Sequence, residues 1–292
     1  MTSVTQYDEP QVVIRARSEV GEGPVFDHRT GRLVWVDITR GGLFETDLAS
    51  GDQRSVTLAT MLGAAVPRQH APGFAVAVSD GYGFVVDGEL SLVAPDFVSP
   101  DLRSNDAKCD SRGRLWAGAN HMEFTPGQGA LRVWDGGSTS RVAYEGLTLP
   151  NGLGWNAEDT EFYLVDSMSR RLMVAPFDAD RGEIGELEVL LAFDEEDGLP
   201  DGLAVDQDGG IWIAMWGGSQ VLRVDRRGQV IGRVPMPVTQ PSSCAFDADG
   251  ILYITSAAAG LDAGQLIAQP DAGSVFAVET GARGVPITAF AG

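Results

Sequence analysis

The sequence has little cysteine, little histidine, little basic charge and no long apolar run, and each shortage removes a class of protein. Two cysteines in 292 residues, Cys109 and Cys244, cannot build a disulfide framework. They lie far apart, each within a β-type segment, and read as free and buried. No CxxC or Cys/His spacing points to structural zinc. Three histidines form no metal motif: His28 reads as a turn residue, His70 and His121 as structural rather than catalytic. Lys and Arg number 21 against 41 Asp and Glu, a net charge of −20, and phosphate backbones and anionic lipid surfaces demand the opposite sign. The expected partner is a small molecule or a metal ion, with no nucleic acid and no membrane. No apolar stretch approaches the roughly 20 residues that cross a bilayer. The opening MTSVTQYDEPQVV has neither the basic start nor the apolar core of a signal peptide, so the expected location is cytoplasmic. A GxSxG elbow, a P-loop and a dinucleotide fingerprint are all missing.

What is present is a repeat. "EGPVFDHRTGRLVWVDI" (22–38), "DAKCDSRGRLWAGA" (106–119), "NGLGWNAEDTEFYLVDS" (151–167), "DGLAVDQDGGIWIAMW" (201–216) and "SSCAFDADGILYITSA" (242–257) share one plan. Each has a short apolar strand, an Asp- or Asn-bearing turn, and a second apolar strand carrying an aromatic. A degenerate copy, "PGFAVAVSDGYGFVVDG" (72–88), fills the gap. The matching positions Trp35, Val76, Trp116, Tyr163, Trp212 and Tyr253 are 40 to 49 residues apart, the length of one four-stranded propeller blade. Six copies across 1–292 predict an all-β, single-domain, six-bladed β-propeller with four-stranded antiparallel blades. The late segment GSVFAVE is expected to pair with the early strand around Val12 to Ile14, closing the ring and hiding its edges.

The turn residues Asp27, Asp110, Asn156, Asp206 and Asp247 supply a ruler. Five positions before them stand Glu22, Asn105, Asn151, Asp201 and Ser242. Equivalent positions of radially arranged blades face one mouth of one channel, so these groups should converge. Two carboxylates brought together repel, and a bound cation removes the cost. Side-chain oxygens without thiolate or imidazole suit Ca²⁺, Mg²⁺, Mn²⁺ or Zn²⁺. Arg103, two residues before Asn105, falls on the same face of an extended strand and offers a guanidinium to substrate oxygens. His121 and Glu123 follow the third copy and would rim the mouth.

These motifs, together with "RSNDAKCDSRGRLWAG" (103–118), "LPNGLGWNAED" (149–159), "LPDGLAVDQDGGIWIAMWGG" (199–218), "QPSSCAFDADGILYITSA" (240–257) and "GSVFAVETGARG" (273–284), resemble the SMP-30/gluconolactonase/luciferin-regenerating enzyme family over nearly the whole chain. The resemblance implies one divalent metal ion (Ca²⁺, Zn²⁺, Mn²⁺, Mg²⁺ or Fe²⁺) on Glu22, Asn151 and Asp201, with Asp201 also the general base. It implies substrate contacts from Arg103, Asn105 and Glu123, and hydrolysis of a sugar acid lactone to its hydroxy acid. The sequence departs from the usual pattern at Ser104 and Ala107 and at Ala119 and Asn120, where Asn120 and His121 would add polar contacts to the substrate wall. Two other readings stand beside this one. A mouth walled by Met122, Phe124 and Trp216 would favour a non-sugar lactone or an organophosphate ester, whereas Asn120, His121 and Arg103 favour a hydroxylated substrate. A non-catalytic propeller that binds metal or a protein partner is the third reading.

Overall fold

The computed structural model describes residues 4–96 and 99–292. Six antiparallel sheets follow one another along the chain: blade I over 21–57, II over 62–94, III over 102–147, IV over 150–192, V over 199–235 and VI over 241–279. Their innermost strands are Gly21–Asp27, Leu62–Pro67, Leu102–Cys109, Pro150–Trp155, Leu199–Val205 and Pro241–Phe246. Each touches the next, and the last touches the first, so they form a closed ring around an axis. The expected six-bladed propeller is the observed fold.

The turn device that served as a ruler has a physical cause. The first carboxylate oxygen of Asp110, Asp206 and Asp247 accepts backbone N–H bonds from the residues two and four positions later, closing the turn. The second oxygen reaches the aromatic six positions on: Trp116 Nε1 at 2.8 Å from Asp110, Trp212 Nε1 at 2.8 Å from Asp206, and the Tyr253 hydroxyl at 3.2 Å from Asp247. One short acidic side chain therefore fixes both the turn and the polar edge of a buried ring, which otherwise would lose its water without replacement. The aromatics and their apolar neighbours fill the seams between blades, where Trp116 packs edge-on to Trp155 at 5.9 Å and tilted against Phe162 at 5.4 Å.

The ring closes as the sequence suggested. Gln11–Ile14 is the outer strand of blade VI, antiparallel to Val275–Glu279, with Val12 opposite Phe276 and Ile14 opposite Val275. Upstream, Thr5–Gln6 adds in parallel to the outer strand of blade V. One further closure carries no repeat signature. After blade VI the tail crosses the face where the turns lie: Val285 N–H donates to Val205 O, Phe290 N–H to Pro67 O, and Ala291 N–H to Gly113 O. Phe290, fully buried, stacks on Trp134 at 4.9 Å. Val285, Pro286, Ile287 and Thr288 thus cover that end of the channel beside Lys108, Ala204 and Ala245. Among the described residues the single α-helix is Ala263–Ala268, and no helix is long and apolar enough to cross a membrane. Both cysteines are free and buried, and burial pushes the Cys244 thiol up to about 12.

Candidate functional site

The opposite mouth is open, and four of the five residues counted back from the turns, Glu22, Asn105, Asn151 and Asp201, lie at it. A β-bulge sits there in every inner strand. Pairing slips between Glu22 and Val25, Leu62 and Ala64, Ser104 and Ala107, Pro150 and Leu153, Pro200 and Leu203, and Pro241 and Ser243. A bulge leaves residues outside the ladder and re-aims their side chains; here Asn105, Asn151 and Asp201 are among those released. The strands also approach closely. A Cβ on Gly152 would lie 2.5 Å from Asp201 O, and one on Gly202 would lie 2.0 Å from Ser243 Oγ. Glycine just after Asn151 and Asp201 is therefore a packing requirement, and it lets side chains from neighbouring blades meet.

Glu22, Asn105, Asn151 and Asp201 are each no more than 6% exposed. Asn151 Nδ2 donates to Asp201 Oδ1 and, at 3.1 Å, to Ser167 Oγ. The carboxyl groups of Glu22 and Asp201 lie in hydrogen-bonding contact. Burial, then the charges of Asp201 and Asp106, push the Glu22 carboxyl well above its ordinary range; burial and Asp106 do the same to Asp201. Arg103 leans over the pair. Its Nη1 donates to Asn105 Oδ1 at 2.8 Å and Ser104 O at 2.9 Å, while Asn105 Nδ2 donates to Pro150 O at 3.1 Å. Burial lowers the Arg103 guanidinium to about 10, against the pull of Glu22 and Asp201, so it remains charged at neutral pH.

The set has too many acceptors for its donors. Asn151 Oδ1 and both oxygens of Asp106 are buried without a hydrogen-bond partner, a state that costs about 1–3 kcal/mol per group. A cation bound among oxygen donors relieves that excess and the Glu22–Asp201 repulsion together, so the residues present fit a hard divalent ion. No group of three or more His, Cys, Asp or Glu side chains among the described residues is assembled around a metal position; the fit here depends on two carboxylates with an amide oxygen as third donor.

The mouth opens into a cavity of about 390 Å³. Glu22, Arg103, Asn105, Asn151 and Asp201 form its polar part, with Thr39 and Ser167. The residues expected to furnish further polar contacts lie elsewhere. Asn120 is fully buried, opposite Arg103 in the ladder, and its Nδ2 donates to His121 O. His121 turns its Nδ1 to Thr125 Oγ1 at 3.1 Å and to the Glu123 N–H at 3.2 Å. Glu123 is exposed and outside the cavity lining. From the same turn, Met122 and Phe124 enter the wall, facing Met61, Leu149, Met168 and Trp216. Ser242, the fifth residue on the ruler, is buried and donates to Gly21 O rather than facing the cavity. A larger groove of about 470 Å³ runs between blades I and II, but Arg29 there is paired to Asp27 at 2.9 Å and it gathers no carboxylate pair of this kind.

Two channel residues escaped the sequence reading. Asp106, 2% exposed, stands where the other copies carry Gly23, Gly152, Gly202 and Ser243. Lys108, two residues further in, is buried, donates its Nζ to Leu203 O and draws the Asp106 carboxyl down against the upward push of burial. Aligning the copies one column past the ruler would have exposed the carboxylate among small residues.

Known proteins share the fold and much of the sequence. The chain is 31% identical to regucalcin of Danio rerio over 97% of this chain and 98% of that one. It is 32% identical to a putative sugar lactone lactonase of Bacillus subtilis over 94% and 96% of the two chains. Its fold superposes on the crystal structure of a calcium-binding protein, regucalcin, from Agrobacterium tumefaciens with a TM-score of 0.90 at 29% identity, covering 100% of this chain and 99% of that one. Residues 20–258 match the SMP-30/gluconolactonase/LRE-like region, and the chain belongs to that family.

Proposed function

We propose that the protein opens a lactone ring to the hydroxy acid at the mouth formed by Glu22, Arg103, Asn151 and Asp201, with one divalent ion as cofactor. The observation that carries this reading is the buried Glu22–Asp201 contact beside the partnerless Asn151 Oδ1. Glu22, Asn151 and Asp201 would hold the ion. When bound, it supplies Lewis acidity to the ring carbonyl and stabilises negative charge on its oxygen. Sugar acid lactones are the substrates to try first, because a relative in Bacillus subtilis is named a putative sugar lactone lactonase.

The chain's own groups divide the remaining work. Asp201 accepts a proton from the attacking water, whose oxygen bonds to the carbonyl carbon. The ring C–O bond then breaks, and the same proton passes to the departing ring oxygen, leaving a carboxylic acid and a hydroxyl. Asn151, fixed between Ser167 and Asp201, holds the base in place. Asn105 has both amide ends engaged, so it holds Arg103, whose remaining N–H groups face the cavity and meet substrate oxygens.

The test is hydrolysis by chelator-stripped protein, followed with a pH indicator, over glucono-, galactono-, xylono- and arabinono-lactones with each divalent ion added back. Ion-dependent ring opening that disappears in Asp201→Ala supports the reading; turnover by that variant near the wild-type rate would refute the assignment of the base.

A further inference from the structure

We infer that the substrate's ring bears an apolar substituent, an alkyl or aryl group, and few hydroxyls. This rests on the lactone-opening function proposed above and concerns only what the ring carries. The cavity has two unlike halves. On one side are the charged groups that would handle the ester. On the other are Met61, Met122, Phe124, Leu149, Met168 and Trp216. A polyhydroxylated ring needs a partner for each hydroxyl, and burying one without a partner is what a pocket discriminates against most strongly.

Few partners remain. Arg103 Nη1 is committed to Ser104 O and Asn105 Oδ1. Each end of the Asn105 amide holds one bond, which leaves it one further N–H and one further lone pair. Ser167 Oγ already accepts from Asn151, and the Thr39 hydroxyl lies 3.5 Å from Asp37. The free donors are the rest of the Arg103 guanidinium, one Asn105 Nδ2 N–H and the Ser167 hydroxyl, beside the ester-handling carboxylates themselves. Of the residues that would have extended the polar side, Asn120 is fully buried and outside the cavity lining, His121 turns onto its own loop, and Glu123 is exposed to solvent.

The apolar half is suited to an occupant. Met122 and Met168 are 39% and 44% exposed at the rim, and thioether chains adapt their shape to a flexible apolar guest. Trp216, half-buried at the end of a blade V strand, adds a flat wall near Asp201. A chain extending from the ring over these side chains would leave water as it bound.

The experiment compares kcat/KM, with the ion that best supports turnover, for one ring bearing alkyl chains of increasing length and for fully hydroxylated aldonolactones. The specificity constant should climb by about fourfold for each methylene that leaves water, and the longer alkyl lactones should outrun the aldonolactones. In Trp216→Gln the climb with chain length should flatten, and the long-chain lactone should lose more than the unsubstituted ring; thermal unfolding checks that the variant is folded. A constant that is flat or falls with chain length, or a preference for aldonolactones, overturns the inference and leaves the lactonase reading intact. An equal loss on every substrate in Trp216→Gln removes that residue from the wall and overturns its part. No turnover of any lactone with any ion overturns both readings.

Discussion

Replacing Glu22 by Gln should stabilise the ion-free protein at alkaline pH and destabilise the ion-loaded one. Glu22 and Asp201 are buried in contact, and both carboxyls are held above their ordinary range. In the unfolded chain they titrate near 4. Between that value and the raised folded one, the native state binds more protons than the unfolded state. The stability of the ion-free protein is therefore complete below about pH 4 at these two groups, and it is lost as pH rises through their folded values. Two unit charges 4 Å apart repel by about 4 kcal/mol at an effective dielectric of 20. That figure is a ceiling, because the native pair retains a proton while it can. At about 2 °C per kcal/mol for a chain of this size, Glu22→Gln should raise the melting temperature in chelator at pH 8 by up to about 8 °C and change it little at pH 5. With saturating divalent ion the order reverses, since a ligand at a hundredfold its Kd adds about 2.7 kcal/mol that the variant cannot recover in full. Calorimetry of both proteins at the two pH values, with chelator and with ion, reads this out. The general self-repulsion of a chain of net charge −20 is common to both proteins and cancels in the difference. If Glu22→Gln lowers the chelated melting temperature at pH 8 as much as the loaded one, the buried pair is not in repulsion and the argument for a cation at this mouth fails.

Three further outcomes follow from particular contacts. Asp201→Asn keeps the size of the side chain but removes the proposed base, and steady-state kinetics should show kcat falling by about 10²–10⁴ with the fold retained. Asp106→Asn removes a carboxylate with no partner on either oxygen and should raise the chelated melting temperature at pH 8; a fall would mean that Lys108 more than offsets the burial of that charge. Phe290→Ala empties the socket against Trp134 and should cost about 3–5 kcal/mol in denaturant unfolding, while the blade VI closure by Gln11–Ile14 stays paired.

The blades were legible because one carboxylate does two jobs at fixed offsets. Asp110, Asp206 and Asp247 close a turn and reach a ring six residues on, so the spacing survives where the apolar residues vary. The convergence of Glu22, Asn105, Asn151 and Asp201 followed from that register, although the bulges that release the last three could not be seen. The wall was harder. Period two ends at His121, where the chain turns with Phe124 N–H donating to His121 O and Phe124 at φ 51°. Which alternate residues face inward past that point depends on the turn, and it sends Met122 and Phe124 into the cavity and Glu123 to solvent. The tail from Val285 to Phe290 was invisible for a different reason. The tail meets the ends of blades II and V through two isolated bridges, Phe290 with Arg68 and Gly284 with Asp206, and repeats nothing.

The strand that completes blade VI comes from the start of the chain, and its partner, Val275–Glu279, comes near the end. During synthesis the first strand leaves the ribosome long before there is anything for it to join. Blades I to V can stack as they appear, but the circle cannot shut until almost every residue has been made. Joining ends so distant costs only about (3/2)RT ln n, a modest sum in energy, yet it imposes an order of events. Until that join is made, an incomplete ring exposes two raw sheet edges and an unclosed channel, with Glu22 and Asp201 on strands not yet held at their final spacing. The mouth that gathers these side chains and the finished circle should therefore be acquired together, in one late step.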